Sequence, residues 1–398
     1  MKLRVILYVI GFSAFTASLG QNLYNPLLLQ VQAELHTTSY LVSLSVSLFT
    51  LALAVMQIVF GPLADKKGRK AVLIPAIVLY TVSSIGCAYA PTIGYLLIFR
   101  VLQGIGAAAV PVVAAAIIGD LFRGKQLSQG MATYQLLLML APAIGPLVGG
   151  VIGEKYGYSA TFLFLGAISL LLLIANFILL PETKPPFTHL KQSNRKYFAL
   201  IFKHPVSRVI LLFGFFQFMV YFIYLTFVPQ ILINTYLFQP AKTGVILLMM
   251  SCSTIISIKL GGSMLNRIGA RKSLIYGFAL HALSVILFAF TAQLSLVFLI
   301  LNVCLFGFFM GLTGSIPTTL LTELFPEERA TAIGVYNFIR YLGMASGPMI
   351  GALLYTGKSI VPLFLTCGFA FGAAILWGVR LMTKSSTTIE NGVLDANQ

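Results

Sequence analysis

Long apolar runs separated by short charged islands constrain this chain more than any other feature. The clearest island is Gly61-Pro62-Leu63-Ala64-Asp65-Lys66-Lys67-Gly68-Arg69-Lys70, in which five of the six positions from Asp65 to Lys70 are charged. Only 9 % of the sequence is charged and 58 % is hydrophobic, with a mean hydropathy of +0.94. A soluble domain carries roughly 45–50 % apolar residues, so runs of this length call for a bilayer. Within a bilayer every backbone polar group must find its partner inside the protein, which leaves helices or closed barrels. The runs are continuous and lack the alternation of barrel strands. The expectation is an all-α membrane protein, and at about 20 residues per crossing the 398 residues have room for about twelve spans.

Those spans are expected near 5–29, 40–62, 71–90, 94–118, 129–152 and 159–181, then near 208–233, 243–265, 273–291, 295–319, 330–356 and 360–381. The domain plan is a six-helix bundle at 1–181, a cytoplasmic linker at 182–207, a second six-helix bundle at 208–382 and a cytoplasmic tail at 383–398. The linker holds Pro185, Pro186 and a dense basic run, and the tail is polar enough to read as disordered. A net charge of +16 could suggest a nucleic-acid surface, but the basic residues are sorted by loop. Lys66, Lys67, Arg69, Lys70, Arg123, Lys125, Arg267, Arg271 and Lys272 share one side with the linker, whereas the opposite loops hold only Lys155, Lys242 and Lys358. That bias places both termini in the cytoplasm and makes the charge a matter of topology. Cys87, Cys252, Cys304 and Cys367 fall inside spans without paired spacing, so neither a disulfide nor a metal is expected. The first apolar run is followed by Tyr24-Asn25-Pro26-Leu27, not by a small-residue cleavage site, and is expected to stay as the first helix.

The chain also repeats itself. Adding 201 to Gly61 and Gly68 lands on Gly262 and Gly269, in Gly262-Ser263-Met264-Leu265-Asn266-Arg267-Ile268-Gly269-Ala270-Arg271-Lys272, and adding 202 to Gly145-Pro146 lands on Gly347-Pro348. A six-helix unit is therefore duplicated. The island at 61–70 resembles the loop between helices 2 and 3 of the major facilitator superfamily, G-x-L-a-D-r-x-G-r-k. Leu96 to Ala108 resembles the helix 4 motif of that family, l-x-x-x-R-x-x-q-G-x-g-a-a, with Arg100 as its arginine. Ala141 to Gly150 resembles the g-x-x-x-G-P-x-x-G-G motif of its exporting, antiporting branches, with Ala141 in place of the first glycine. The Trp-Arg often found soon after is absent, since Tyr158-Ser159 stands there. Helix 1 resembles the D-x-Y-l-P-a-L segment of twelve-span drug:proton antiporters, with Asn22 in the acidic position.

The resemblance implies twelve transmembrane helices in two pseudo-symmetric six-helix bundles, with a substrate site between them near mid-membrane. It implies a secondary transporter exporting small amphipathic drugs or metabolites by proton antiport and alternating access. It also implies roles: Gly61, Asp65, Gly68, Arg69 and Asp120 as a conformational switch, Arg100 and Asp65 in proton coupling, and Gly145, Pro146, Gly149 and Gly150 as the antiporter motif.

Physical reading adds its own candidates. A charge inside a span costs at least about 2.5–3.5 kcal/mol, so Arg100 either faces the protein interior or a watery cavity, or snorkels to the outer interface. Arg340, near the start of helix 11, has the same alternatives. Gln217, Tyr221 and Tyr224 share a helix face suited to an amphipathic ligand, and with Asn22, Tyr24, Gln135, Asn302 and Arg340 they form the expected substrate cavity. None of the ten acids, Glu34, Asp65, Asp120, Glu154, Glu182, Glu323, Glu327, Glu328, Glu390 and Asp395, lies mid-span. Arginine does not titrate usefully, which leaves Asp65, Asp120 and His281 as proton carriers. If Arg100 and Arg340 both reach the cavity, its field is positive and the substrate anionic or zwitterionic.

Two other readings stand beside this one: a dedicated exporter of an endogenous anionic metabolite such as a siderophore, and a non-transporting sensor or scaffold, for which the missing membrane carboxylate speaks. No Gly-x-x-x-x-Gly-Lys-Ser/Thr segment or catalytic constellation exists, so neither ATP hydrolysis nor an enzyme is expected. Expected partners are a small-molecule substrate, protons and the lipid bilayer, with no cofactor and no nucleic acid, in a monomer of a bacterial cytoplasmic membrane.

Overall fold

A computed structural model describes residues 2–183, 195–326, 328–355 and 359–395. Among the described residues there is no strand. The first part runs α1 (Lys2–Asn22), a 3-10 turn (Asn25–Leu27), α2 (Leu28–Glu34), α3 (Ser39–Lys67), α4 (Arg69–Ala88), α5 (Ile93–Leu121), α6 (Gly124–Tyr156) and α7 (Tyr158–Leu179). It continues with α8 (Arg195–Lys203), α9 (Pro205–Tyr236), α10 (Pro240–Ile268), α11 (Ala270–Thr291), α12 (Leu296–Thr313), α13 (Ile316–Leu324), α14 (Arg329–Leu354) and α15 (Val361–Asp395). Eleven spans among the described residues are long and apolar enough to cross a bilayer, two of them made of paired helices: α1 with α2, and α12 with α13. The 26-residue α14 is also long enough and is interrupted by Arg340.

Local chemistry sets the breaks. Gly68 (φ +111°) and Gly269 (φ +81°) separate α3 from α4 and α10 from α11, and only glycine takes such a conformation without strain. They are the repeat-related glycines of the sequence, so the duplication extends to backbone conformation. Thr38 and Ser295 cap α3 and α12 by accepting the amides of Leu41 and Phe298 at 3.3 Å. The span expected at 295–319 is two helices, broken at Gly314-Ser315 ahead of Pro317, which sits in the first turn of α13 where its missing N–H costs nothing. The described part of the linker contains α8. The expectation of a disordered tail is corrected, since helix α15 continues through Thr383 to Asp395, a stretch without proline.

Contact density divides the chain into two units: Met1–His189 with Phe222–Leu248 and Ala345–Leu353, and Leu190–Tyr221 with Met249–Met344 and Leu354–Gln398. In the first, α5 packs against α1, α3 and α4, while α7 lies on α4 and α6 on α1. Gly104 and Gly106 of α5 make this possible. A Cβ on Gly104 would lie 3.0 Å from the Phe49 carbonyl carbon of α3, and one on Gly106 would lie 2.6 Å from the Tyr80 amide of α4. The small residues of the helix 4 motif are thus where two neighbouring backbones touch. In the second unit, Gly307 and Gly311 of α12 serve α10 at Met250 and Thr254 in the same way.

Candidate functional site

Asp65 stands in the last turn of α3, Arg69 in the first turn of α4 and Asp120 near the end of α5, so three helix ends bring them together. The Arg69 guanidinium donates from Nη1 to Asp65 Oδ1 and from Nε to Asp120 Oδ2 at 3.0 Å. The arginine side chain is only 8 % exposed, which lifts the pairing above an ordinary surface contact. Thr183 donates to Asp120 at 3.3 Å. Glu182 completes the cluster: its carboxylate accepts the backbone amides of Arg69 at 2.7 Å, Ala71 at 3.2 Å and Lys70 at 3.4 Å. Those are orphan donors of the first turn of α4, and an anion there also meets the positive end of the helix dipole. A Cβ on Gly68 would lie 2.7 Å from this carboxylate, so Gly68 is required for space as well as for its dihedral.

Arg100 is fully buried and does not snorkel. It donates from Nη1 to the Gly20 carbonyl at 2.9 Å and to Gln103 Oε1 at 2.6 Å, and from Nε to the Ser45 carbonyl at 3.4 Å. Its guanidinium lies 4.3 Å from the Phe49 ring centre, 5.3 Å from Tyr24 and 5.9 Å from Phe162. Gln103 passes the chain on to the Ser84 hydroxyl at 2.8 Å. Carbonyl dipoles and ring faces replace a counter-ion, and Nη2 alone has no partner among the described residues.

The Ala141–Gly150 stretch forms a seam. Gly145 faces Asn22, whose Cβ is 3.2 Å from where its own would be, and a methyl on Gly149 would overlap the Leu23 carbonyl. A Cβ on Gly150 would lie 2.8 Å from the Pro240 carbonyl carbon, and Gly244 of α10 would meet the Pro146 carbonyl oxygen at 2.6 Å. Glu154 accepts the Ala241 amide at 3.1 Å in the first turn of α10. Asp120 and the start of α6 are neighbours in the chain, and Gly150 lies 26 residues further on, so the seam and the charge cluster are roughly 40 Å apart along α6.

Each of the expected cavity residues has its own local setting. Asn22 is buried and donates to the Ser18 carbonyl of its own helix at 2.9 Å, leaving Oδ1 unpartnered. Tyr24 is fully buried, hydroxyl to Ser45 Oγ at 2.9 Å, as part of the Arg100 cage. Gln135 is exposed. Gln217 is buried and donates to Thr313 Oγ1 at 2.6 Å, with Oε1 unpartnered. Tyr224 is fully buried and Tyr221 partly so. Asn302 donates to Thr291 Oγ1 and ties α12 to α11. His281 is buried against the rings of Phe306 at 4.7 Å and Phe371 at 5.9 Å, neither nitrogen having a partner. Arg340 is partly buried, stacked 4.8 Å from Phe218 and 5.4 Å from Tyr341. It is the twelfth of 26 residues in α14, so it sits mid-helix and not near the start.

The family model described as Major Facilitator Superfamily matches residues 10–348 and 210–392. The chain belongs to the major facilitator superfamily. It is 24 % identical over 386 residues to a bicyclomycin resistance protein homolog of Haemophilus influenzae, 94 % of each chain being covered. It is 33 % identical over 171 residues to the chloramphenicol resistance protein of Pseudomonas aeruginosa, which is 42 % of this chain and 40 % of that one. The crystal structure of a D-xylose-proton symporter covers 95 % of this chain and 97 % of its own with a TM-score of 0.78, and at 16 % identity it establishes the fold alone. The architecture is accordingly the major facilitator fold, a multi-pass membrane transporter of small molecules.

Two polar residues with notable settings in this major facilitator protein were not singled out in the sequence. Glu182, in Pro181-Glu182-Thr183, was readable only as an acid opening the linker, although its position just after α7 places it at the same membrane face as the 61–70 island. Asn25 lies in the break between α1 and α2, fully buried with both amide atoms unpartnered; the neighbouring Pro26 marked the break but not the burial.

Proposed function

We propose that this transporter is driven by proton antiport and that its cargo is small and amphipathic, carried from the cytoplasm to the outside. It is a secondary efflux transporter. The observation that carries the coupling proposal is the Asp65–Arg69–Asp120 cluster, in which a half-exposed acid is paired to a buried guanidinium across the ends of α3, α4 and α5. In the proposed cycle the halves 1–181 and 208–382 rock about a central site. The cluster closes the cytoplasmic side, and the Gly145–Gly150 seam closes the opposite side. Asp65, with its side chain 43 % exposed, is reachable by water and is the acid we assign to the proton, while sealed Arg100 serves as a fixed charge beside helix 1. The chain acts as a monomer in a bacterial cytoplasmic membrane, both termini inside, with no catalytic activity and no nucleic-acid partner.

The test is the internal pH of proteoliposomes on addition of candidate substrates, for the native protein and Asp65→Asn. Substrate-driven proton movement that the substitution abolishes is the expected result. Movement of labelled substrate with no accompanying proton would refute antiport.

A further inference from the structure

Arg340 lies within the apolar helix α14 and has no acidic partner among the described residues. It lies 11 residues from the start of α14, which at 1.5 Å per residue is about 16 Å, and is partly buried. Lipid is a costly neighbour for a charge at that depth. Its neighbours are rings: Phe218 of α9 at 4.8 Å and Tyr341 at 5.4 Å from the guanidinium carbon. The α9 and α14 backbones are close here, since a Cβ on Gly343 would lie 3.1 Å from the Phe215 Cα.

Stacking uses the face of a guanidinium and leaves its five edge donors free. Arg340 makes no hydrogen bond or ion pair among the described residues, and its buried Nε has no acceptor. Helices α9, α10, α11, α12 and α14 contain no aspartate or glutamate at all. Gln217, the residue before Phe218, has a buried carbonyl oxygen that also lacks a partner among the described residues. The contrast with Arg100 is instructive, because that residue spends its donors on Gly20, Ser45 and Gln103 and is sealed from solvent.

We infer that Arg340 is the subsite for an anionic group of the exported molecule, its Phe218 and Tyr341 flanks taking the apolar part of the same ligand. The substrate class is an amphipathic organic monoanion, with an aromatic carboxylate as the simplest member. A carboxylate matches the fork of guanidinium donors, and the adjoining rings favour a flat apolar body. Permanently charged cations are disfavoured, because this unit offers no mid-membrane acid to receive them. The inference rests on the efflux reading and names its cargo.

The probes are 2-naphthoate and 2-naphthamide, the same rings with and without the charge, and ethidium as a cation. Efflux from proteoliposomes is measured for the native protein, Arg340→Lys and Arg340→Gln. Preferential export of naphthoate is expected, with Arg340→Gln losing roughly tenfold to a hundredfold for naphthoate while sparing naphthamide, and Arg340→Lys falling between. Loss of the ring stack also weakens the α9–α14 contact, so direct binding of the two probes to purified native protein is compared as well; tighter binding of naphthoate is expected there. Equal handling of acid and amide by native protein, in binding and in export, overturns the anionic subsite while leaving efflux intact. Failure to move any of the three probes overturns the efflux reading, and the inference with it.

Discussion

Replacing Gly150 by alanine places a methyl group 2.8 Å from the Pro240 carbonyl carbon and 3.0 Å from the Ala241 Cα, both backbone atoms. Backbone does not swing aside as a side chain does, so the start of α10 has to retreat from α6. Overpacking of this kind costs about 1–3 kcal/mol. The displaced atoms belong to the residue whose amide binds Glu154, so the 3.1 Å bond lengthens as well. A conformational equilibrium resting on this seam therefore shifts by roughly 5- to 150-fold. The same substitution supplies its own control, because Gly334 and Gly372 lie in helices where an added Cβ meets nothing within 4 Å. There alanine is expected to stabilise by about 0.5–1 kcal/mol through helix propensity. The assay is the thermal midpoint of each purified variant beside its efflux rate. Gly150→Ala should fall below native protein in both, with Gly334→Ala and Gly372→Ala at or above native stability. A Gly150→Ala protein as stable and active as the two controls would refute the seam argument.

Other perturbations reach the remaining parts of the site. Glu182→Ala removes an acceptor shared by three amides and should cost about 1 kcal/mol, an effect that shrinks with added salt because the carboxylate is exposed; melting at two ionic strengths reads it, and Glu182→Gln should recover part of the loss. Arg100→Lys keeps the charge but cannot span Gly20, Ser45 and Gln103 together, so buried carbonyls lose their donors at about 1–3 kcal/mol; a lower thermal midpoint and slower efflux are expected, and native-like values for both would count against the cage. Asp120→Asn leaves the Arg69 Nε an acceptor without a charge, and efflux should be less impaired than in Asp65→Asn, which loses the proposed proton site as well.

The fold was legible because membrane burial writes itself into composition: uninterrupted apolar runs allow few architectures, and the repeated Gly61/Gly68 and Gly262/Gly269 spacing announced the duplication. Helix ends were less legible, since α6 passes through Pro142 and Pro146 while the span at 295–319 breaks where no long polar stretch warns of it. Asp65 and Arg69 of the charged cluster stood out in the 61–70 island, but Glu182 did not. Its contribution depends on where α7 ends relative to α4, 113 residues earlier in the chain. Nor does the second copy reproduce it, for an offset of 201 from Glu182 falls on Thr383, and Gly269 has nothing within 4 Å of an added Cβ. The duplicated loop therefore keeps its glycine geometry without the Glu182 clamp.

Arg100 and Arg340 mark where sequence reasoning stops. Both are arginines in apolar helices, and the cost of a buried charge flags both alike. What separates them is the polar inventory of helices distant in the chain. Arg100 lies against the Gly20 and Ser45 carbonyls and the rings of Phe49, Tyr24 and Phe162, which together stand in for an anion. Arg340 finds rings but no acceptors. A buried charge met by carbonyls and rings holds helices together, whereas one without acceptors favours whatever anion can reach it. The absence of a carboxylate in helix 1, where Asn22 stands, points the same way. A helix 1 acid would attract cations, and Asn22 carries no charge to do so.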